Sequence, residues 1–170
     1  MAETAIFTVL AVVTVITAIL VILQRNPVAS AIFLIMTLFS LAGIYLLLNA
    51  QFIAVIQVLV YAGAIMVLFL FVIMLLNLQK EKKIITRRKL QKVVGVFLGI
   101  LLLAQFAVIF NSVFLEGTKG KFLPEEVNAV GNTQVVARLL FTDYLLPFEI
   151  TSVLLLVAII AAIVLAKRQI

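Results

Sequence analysis

Five long apolar stretches divide this chain: Thr4 to Leu23, Val28 to Leu48, Phe52 to Leu76, Val93 to Leu115 and Leu145 to Ala166. Each meets the requirement of about 20 apolar residues for a helix that crosses a bilayer. Polar positions collect between them, and the pattern predicts an all-α integral membrane protein with five transmembrane helices in one membrane domain, residues 1–170. The intervals QRNP and NAQ are short, so the first three helices are expected to form an antiparallel series. Asn26 followed by Pro27 suits a turn feeding a helix, because a proline at the first helical position gives up an N–H that would be unpaired anyway. The one sizeable polar interval, Glu116 to Tyr144, has 29 residues, too few for a core of its own. Within it, Asn132 or Thr133 is placed to cap a short amphipathic helix whose Val136, Leu139, Leu140 and Tyr144 share one face.

Composition sharpens this picture. Hydrophobic residues make up 66% of the chain and charged residues 12%, outside the range of soluble globular domains. Cysteine and histidine are absent, which removes disulfides, thiolate iron–sulfur ligation, imidazole metal sites and any Cys/His nucleophile. The first stretch lacks a positively charged start and a small-x-small site before Gln24, so it reads as a retained helix rather than a secretory signal.

The formal charge of +6 follows membrane topology, not a basic domain for nucleic acid. Ten of the thirteen lysines and arginines fall on one side of a five-crossing path: Arg25, the cluster Lys80, Lys82, Lys83, Arg87, Arg88, Lys89 and Lys92, and the terminal Lys167 and Arg168. Cytoplasmic loops collect such residues, so the N-terminus is expected outside (periplasmic) and the C-terminus in the cytoplasm. The 80–92 cluster is accounted for by topology and headgroup contact, with a specific lipid or partner site as the alternative. Lys119, Lys121 and Arg138 fall in the outer loop, offset by Glu116, Glu125, Glu126 and Asp143.

Polar chemistry inside the spans is sparse. The first helix offers Thr8, Thr14 and Thr17, which can bond back to their own backbone. The third carries Gln51 and Gln57 near its start and Tyr61 about ten residues in, roughly 14 Å deep at 1.5 Å per residue. A phenolic hydroxyl away from water must find a partner. Gly63, between Ala62 and Ala64, allows either close helix packing or a loosened ladder, a π-bulge or hinge that lets the helix rotate. Gly95 and Gly99 have the GxxxG spacing of a helix-packing face, and Gln105 and Asn111 are expected to bond across helices. Pro147 and Glu149 open the last helix, where the positive end of the dipole favours a carboxylate. No proposed span has an ionisable midplane site or broken-helix repeat of the kind a self-sufficient ion-coupled transporter uses, so the chain reads as one component of a larger assembly.

Two separated motifs carry a family resemblance. The run YAGAIMVLFLFVIMLLN from Tyr61 to Asn77 and the block LFTDYLLPFEI from Leu140 to Ile150 resemble subunit J of bacterial NADH-quinone oxidoreductase, the counterpart of mitochondrial NADH dehydrogenase subunit 6. The resemblance implies a place in the membrane arm of respiratory complex I in the bacterial inner (plasma) membrane, beside the quinone-site subunit and small neighbouring subunits. It implies no catalytic residue, cofactor or metal in this chain, with flavin, iron–sulfur clusters and quinone held by partner subunits of the proton-translocating enzyme. It also implies that Tyr61, Gly63 and Ala64 lie where relatives carry a π-bulge linked to opening a water path toward the proton channels. Many relatives have an acidic residue at the position matching Gln51, and an amide there cannot exchange protons. Two other readings stay open: a purely structural scaffold subunit, and a subunit of a related membrane hydrogenase or cation/proton antiporter complex.

Overall fold

The structure, a computed structural model, describes residues 1–76, 88–115, 127 and 129–167, without the side chains of 88–92 and 111–115. Helix α1 spans Ala2–Leu23, α2 Pro27–Leu47, α3 Gln51–Leu75, α4 Arg88–Leu115, α5 Asn132–Phe141 and α6 Leu145–Ala166. All but α5 are long and apolar enough to cross a membrane, and no strand occurs among the described residues. The 22 residues of α1 reach about 33 Å, close to the thickness of the hydrocarbon layer. Lys80, Lys82, Lys83, Arg87, Glu116, Lys119, Lys121, Glu125, Glu126 and Arg168 lie outside the described residues, as do the side chains of Arg88, Lys89, Lys92 and Asn111.

Local chemistry fixes the tight reversals. The Asn26 side chain accepts from the Val28 N–H at 2.9 Å, and Pro27 occupies the first helical position of α2. At the other end of α2 the chain closes a Schellman motif: the Ala50 N–H bonds to the Tyr45 carbonyl at 2.9 Å and the Asn49 N–H to the Leu46 carbonyl at 3.1 Å. This puts Asn49 in the left-handed region at φ 58°, which asparagine tolerates and a β-branched residue does not. Asn49→Val is therefore expected to cost about 1–2 kcal/mol, seen as earlier thermal loss of the subunit from the purified complex, with Asn49→Gly showing no loss.

Packing concentrates along α2, which contacts both α1 and α3. Their buried positions are Ala31, Ala42, Ala54, Ala62 and Met66, with the polar Thr17, Thr37, Ser40 and Gln57. Lipid tails are as apolar as leucine, so membrane helices gain little by hiding leucine from them; close backbone contact and hydrogen bonds between helices decide instead. Small buried side chains provide the first. A Cβ added at Gly43 of α2 would meet Leu10 of α1 at 3.0 Å, so these two helices touch almost backbone to side chain. The second comes from Thr37, whose hydroxyl lies 2.8 Å from that of Thr17. Thr8, Thr14 and Thr17 do bond back to their own helix, at 2.7 to 2.8 Å, but Thr17 is in addition half of this interhelical pair.

The region around α5 corrects three expectations. Neither Asn132 nor Thr133 caps α5: both lie inside the helix, which starts after Gly131 with no side-chain cap. Val136, Leu139 and Leu140 are half-buried on one face, whereas Tyr144 is exposed in the turn beyond it. Helix α6 begins at Leu145, so Glu149 is its fifth residue and no acidic side chain occupies its first turn. The dipole fades beyond the first turn and does not account for Glu149, whose side chain is exposed.

Candidate functional site

Helix α3 changes its hydrogen-bond register twice. Gln51–Ile56 is α-helical, Gln57–Ile65 is π-helical and Met66–Leu75 is α-helical again. On entry the Gln57 N–H reaches the Ile53 carbonyl, four residues back; on exit the Met66 N–H reaches that of Tyr61, five residues back. Most π structure is a single-turn bulge, and it is frequent at functional sites. Here it covers nine residues, including Tyr61, Gly63 and Ala64.

The widened turn decides which side chains face α2. The buried residues of α3 are Ala54, Gln57, Ala62 and Met66. An α-helix that buries Ala54 and Gln57 would, at 3.6 residues per turn, next bury Tyr61 and Ile65. The five-residue step from Gln57 to Ala62 inserts one extra residue and shifts the inward face by one position. Tyr61 and Ile65 are accordingly turned out, each 49% exposed, while Ala62 is 4% exposed. Restoring α geometry across this segment would rotate everything beyond it by about 100°, exchanging Ala62 for Tyr61 at the contact with α2.

Gly63 lies within the widened turn, close to its own backbone. A Cβ there would lie 3.2 Å from the Val58 carbonyl oxygen, the acceptor five residues back along the same helix. Backbone cannot yield as a side-chain tip can, so a side chain at 63 bears on the π form. The Tyr61 hydroxyl makes no hydrogen bond to a described residue. An apolar groove of about 440 Å³ runs beside the first half of the segment, lined by residues that include Phe39, Leu46, Val55 and Leu59.

The other sequence candidates are not brought to this place. A Cβ added at Gly95 or Gly99 on α4 would meet no described atom within 4 Å, and the exposed Gln105 side chain has no hydrogen bond to a described residue, so the GxxxG face and this amide meet no described part of the chain. Gln51, at the start of α3, is exposed. No group of three metal-ligating side chains occurs among the described residues. Two important positions were missed from sequence. Ala62 looked like a flank of Gly63, yet it is the residue that occupies the inward register; Asn132 looked like a local cap, yet its side chain accepts from the Phe52 N–H in the first turn of α3 at 3.1 Å.

Comparison with known proteins agrees with the membrane architecture. The profile of the NADH-ubiquinone/plastoquinone oxidoreductase chain 6 family matches residues 17–165. The chain is 40% identical to F(420)H(2) dehydrogenase subunit J of Methanosarcina mazei, over 98% of this chain and 92% of that protein. It is 35% identical to NADH-quinone oxidoreductase subunit J of Rickettsia conorii, over 91% and 75% of the two chains. It is 42% identical to NAD(P)H-quinone oxidoreductase chain 6 of Synechocystis sp., over 88% and 73%.

Proposed function

This chain belongs to the NADH-ubiquinone/plastoquinone oxidoreductase chain 6 family, and we propose that it serves as a multi-pass membrane-arm subunit coupling quinone reduction to proton translocation through a conformationally mobile α3. The π segment Gln57–Ile65 carries this reading. It holds an outward Tyr61 and an inward Ala62 at about mid-depth, and conversion to α geometry exchanges them. Such an exchange replaces a methyl by a phenol at the contact with α2, altering both the space there and the hydrogen bonds open to water. A bistable helix of this kind gates hydration without carrying a proton itself, which fits a chain whose spans hold no carboxylate at mid-depth.

In this reading the chain supplies no active site and holds no cofactor. Iron–sulfur clusters need thiolate or imidazole ligands, and the sequence contains neither cysteine nor histidine. Flavin, clusters and quinone are assigned to partner subunits, among them the quinone-site subunit and small neighbours. Helices α4 and α6, with none of their spanning residues buried within the chain, offer the faces for those partners and for lipid, the Gly95 and Gly99 face included. The distribution of basic residues supports an N-terminus outside and a C-terminus inside, in a bacterial plasma membrane under this reading.

A second reading concerns the electron donor. The chain covers 92% of the F(420)H(2) dehydrogenase subunit, against 75% of the Rickettsia conorii and 73% of the Synechocystis relative, so a donor other than NADH is a specific alternative for the same coupling role. Purifying the native complex through a tag on this chain tests both. The expected result is a flavin-containing assembly that reduces quinone with NADH, or with F(420)H(2) under the second reading. An assembly with no quinone reductase activity from either donor would sink the proposal.

A further inference from the structure

Helix α5 contacts two membrane helices, α3 and α6. At its C-terminal end the turn to α6 is tied by the Tyr144 N–H bonding to the Leu139 carbonyl at 2.9 Å and by the Thr142 hydroxyl donating to the Arg138 carbonyl at 2.8 Å. Phe141 of α5 stands edge-on to Phe148 of α6 with ring centroids 5.0 Å apart. These contacts make α5 and the start of α6 one unit. At the opposite end, the half-buried Asn132 reaches across to α3 and accepts the Phe52 N–H. That N–H belongs to a first turn whose own N-cap, Ala50, has no side-chain acceptor, so the need is met by a residue 80 positions away.

We infer that Asn132 is a positioning residue: it caps α3 from outside and, through α5, yokes the N-terminal end of α3 to that of α6. The inference rests on the reading of α3 as the coupling element. With Gln51–Ile56 held by Asn132, a change between π and α geometry at Gln57–Ile65 cannot be absorbed by the first turns turning freely, and is delivered to Met66–Leu75 instead. A rotating helix needs one end fixed, and Asn132 supplies the fixed end.

The test uses the assembled complex carrying Asn132→Leu, which keeps bulk and loses the acceptor, and Asn132→Asp, which keeps an oxygen facing the same N–H. In Asn132→Leu, amide exchange across 51–56 is expected to quicken about fivefold, the usual scale of a lost cap. Protons pumped per electron should fall by a similar factor, about fivefold, if the cap sets the fraction of α3 in its competent register. Asn132→Asp should restore both, which a general packing defect would not allow. Unchanged exchange in Asn132→Leu overturns the inference whatever the activity does. Faster exchange with unchanged pumping overturns it too, and Gly63→Val then separates the causes: if that variant still loses pumping, the coupling role of α3 survives and only the yoke fails; if it does not, the coupling role fails as well.

Discussion

Gly63→Val is expected to lower quinone reductase turnover and proton pumping about tenfold, the rate equivalent of about 1.4 kcal/mol. Electron transfer from the natural donor to a hydrophilic artificial acceptor should stay intact, because under the proposed role this chain takes part only in coupling and not in that path. The magnitude follows from the widened turn. A Cβ added at 63 would lie 3.2 Å from the Val58 carbonyl oxygen, and valine adds two methyl groups beyond it. The clash is relieved by returning to α geometry, where the i−5 carbonyl no longer faces this position, and valine is a better helix residue than glycine. Both effects push away from the π form. Gly63→Ala, with a single methyl, should show the same defect at smaller size. A scaffold role makes the opposite forecast: Gly63→Ala and Tyr61→Phe would reduce the amount of assembled complex and leave turnover per complex untouched.

Ala62→Leu attacks the same equilibrium from the inward side. Ala62 is buried against its neighbours, and adding three carbons to a filled contact costs about 1–3 kcal/mol. In α geometry residue 62 swings away from α2 and the larger side chain finds room, so the variant is expected to hold α3 in the α register. The chain has no cysteine of its own, which makes single-cysteine reporters unambiguous. In the complex carrying Ala62→Leu, a cysteine introduced at Ile65 should lose reactivity toward a membrane-permeant maleimide about tenfold relative to the same cysteine with Ala62 retained, since Ile65 turns inward with Tyr61. Equal labelling in the two backgrounds would show that the register does not respond and that Ala62 acts by packing alone. The paired variants thus separate strain within α3 from crowding between α3 and α2.

The fold was largely legible along the chain because membrane solvent imposes a coarse rule: backbone polar groups must be satisfied within the segment, so an apolar run of sufficient length becomes a helix. That rule marks five helices from hydropathy alone, and the Asn-Pro pair at 26–27 marks the start of α2. Short-range chemistry near interfaces was read less well. Asn132 has the right residue type for a cap, yet a capping oxygen serves whichever unpaired N–H lies within reach, and the nearest such donor belongs to α3. The last helix starts at Leu145 as its apolar run indicates, with Pro147 in the first turn, but Glu149 is the fifth residue and its carboxylate falls past the reach of the dipole. Gly95 and Gly99 announce close packing without naming a partner, because spacing defines a face and not what covers it.

The sequence by itself determined that this is a helical membrane protein, how many spans it has, its family, and the small-residue cluster from Ala62 to Ala64 as a weak point in a long helix. Tertiary structure decided the register of that helix and its anchorage. Hydropathy is nearly uniform around α3, so composition cannot say whether Tyr61 or Ala62 faces inward; the answer depends on how a nine-residue π segment fits its small side chains against α2. Likewise, no local pattern links Phe52 to a side chain 80 residues away, because that bond exists only once α5 has folded across the ends of α3 and α6.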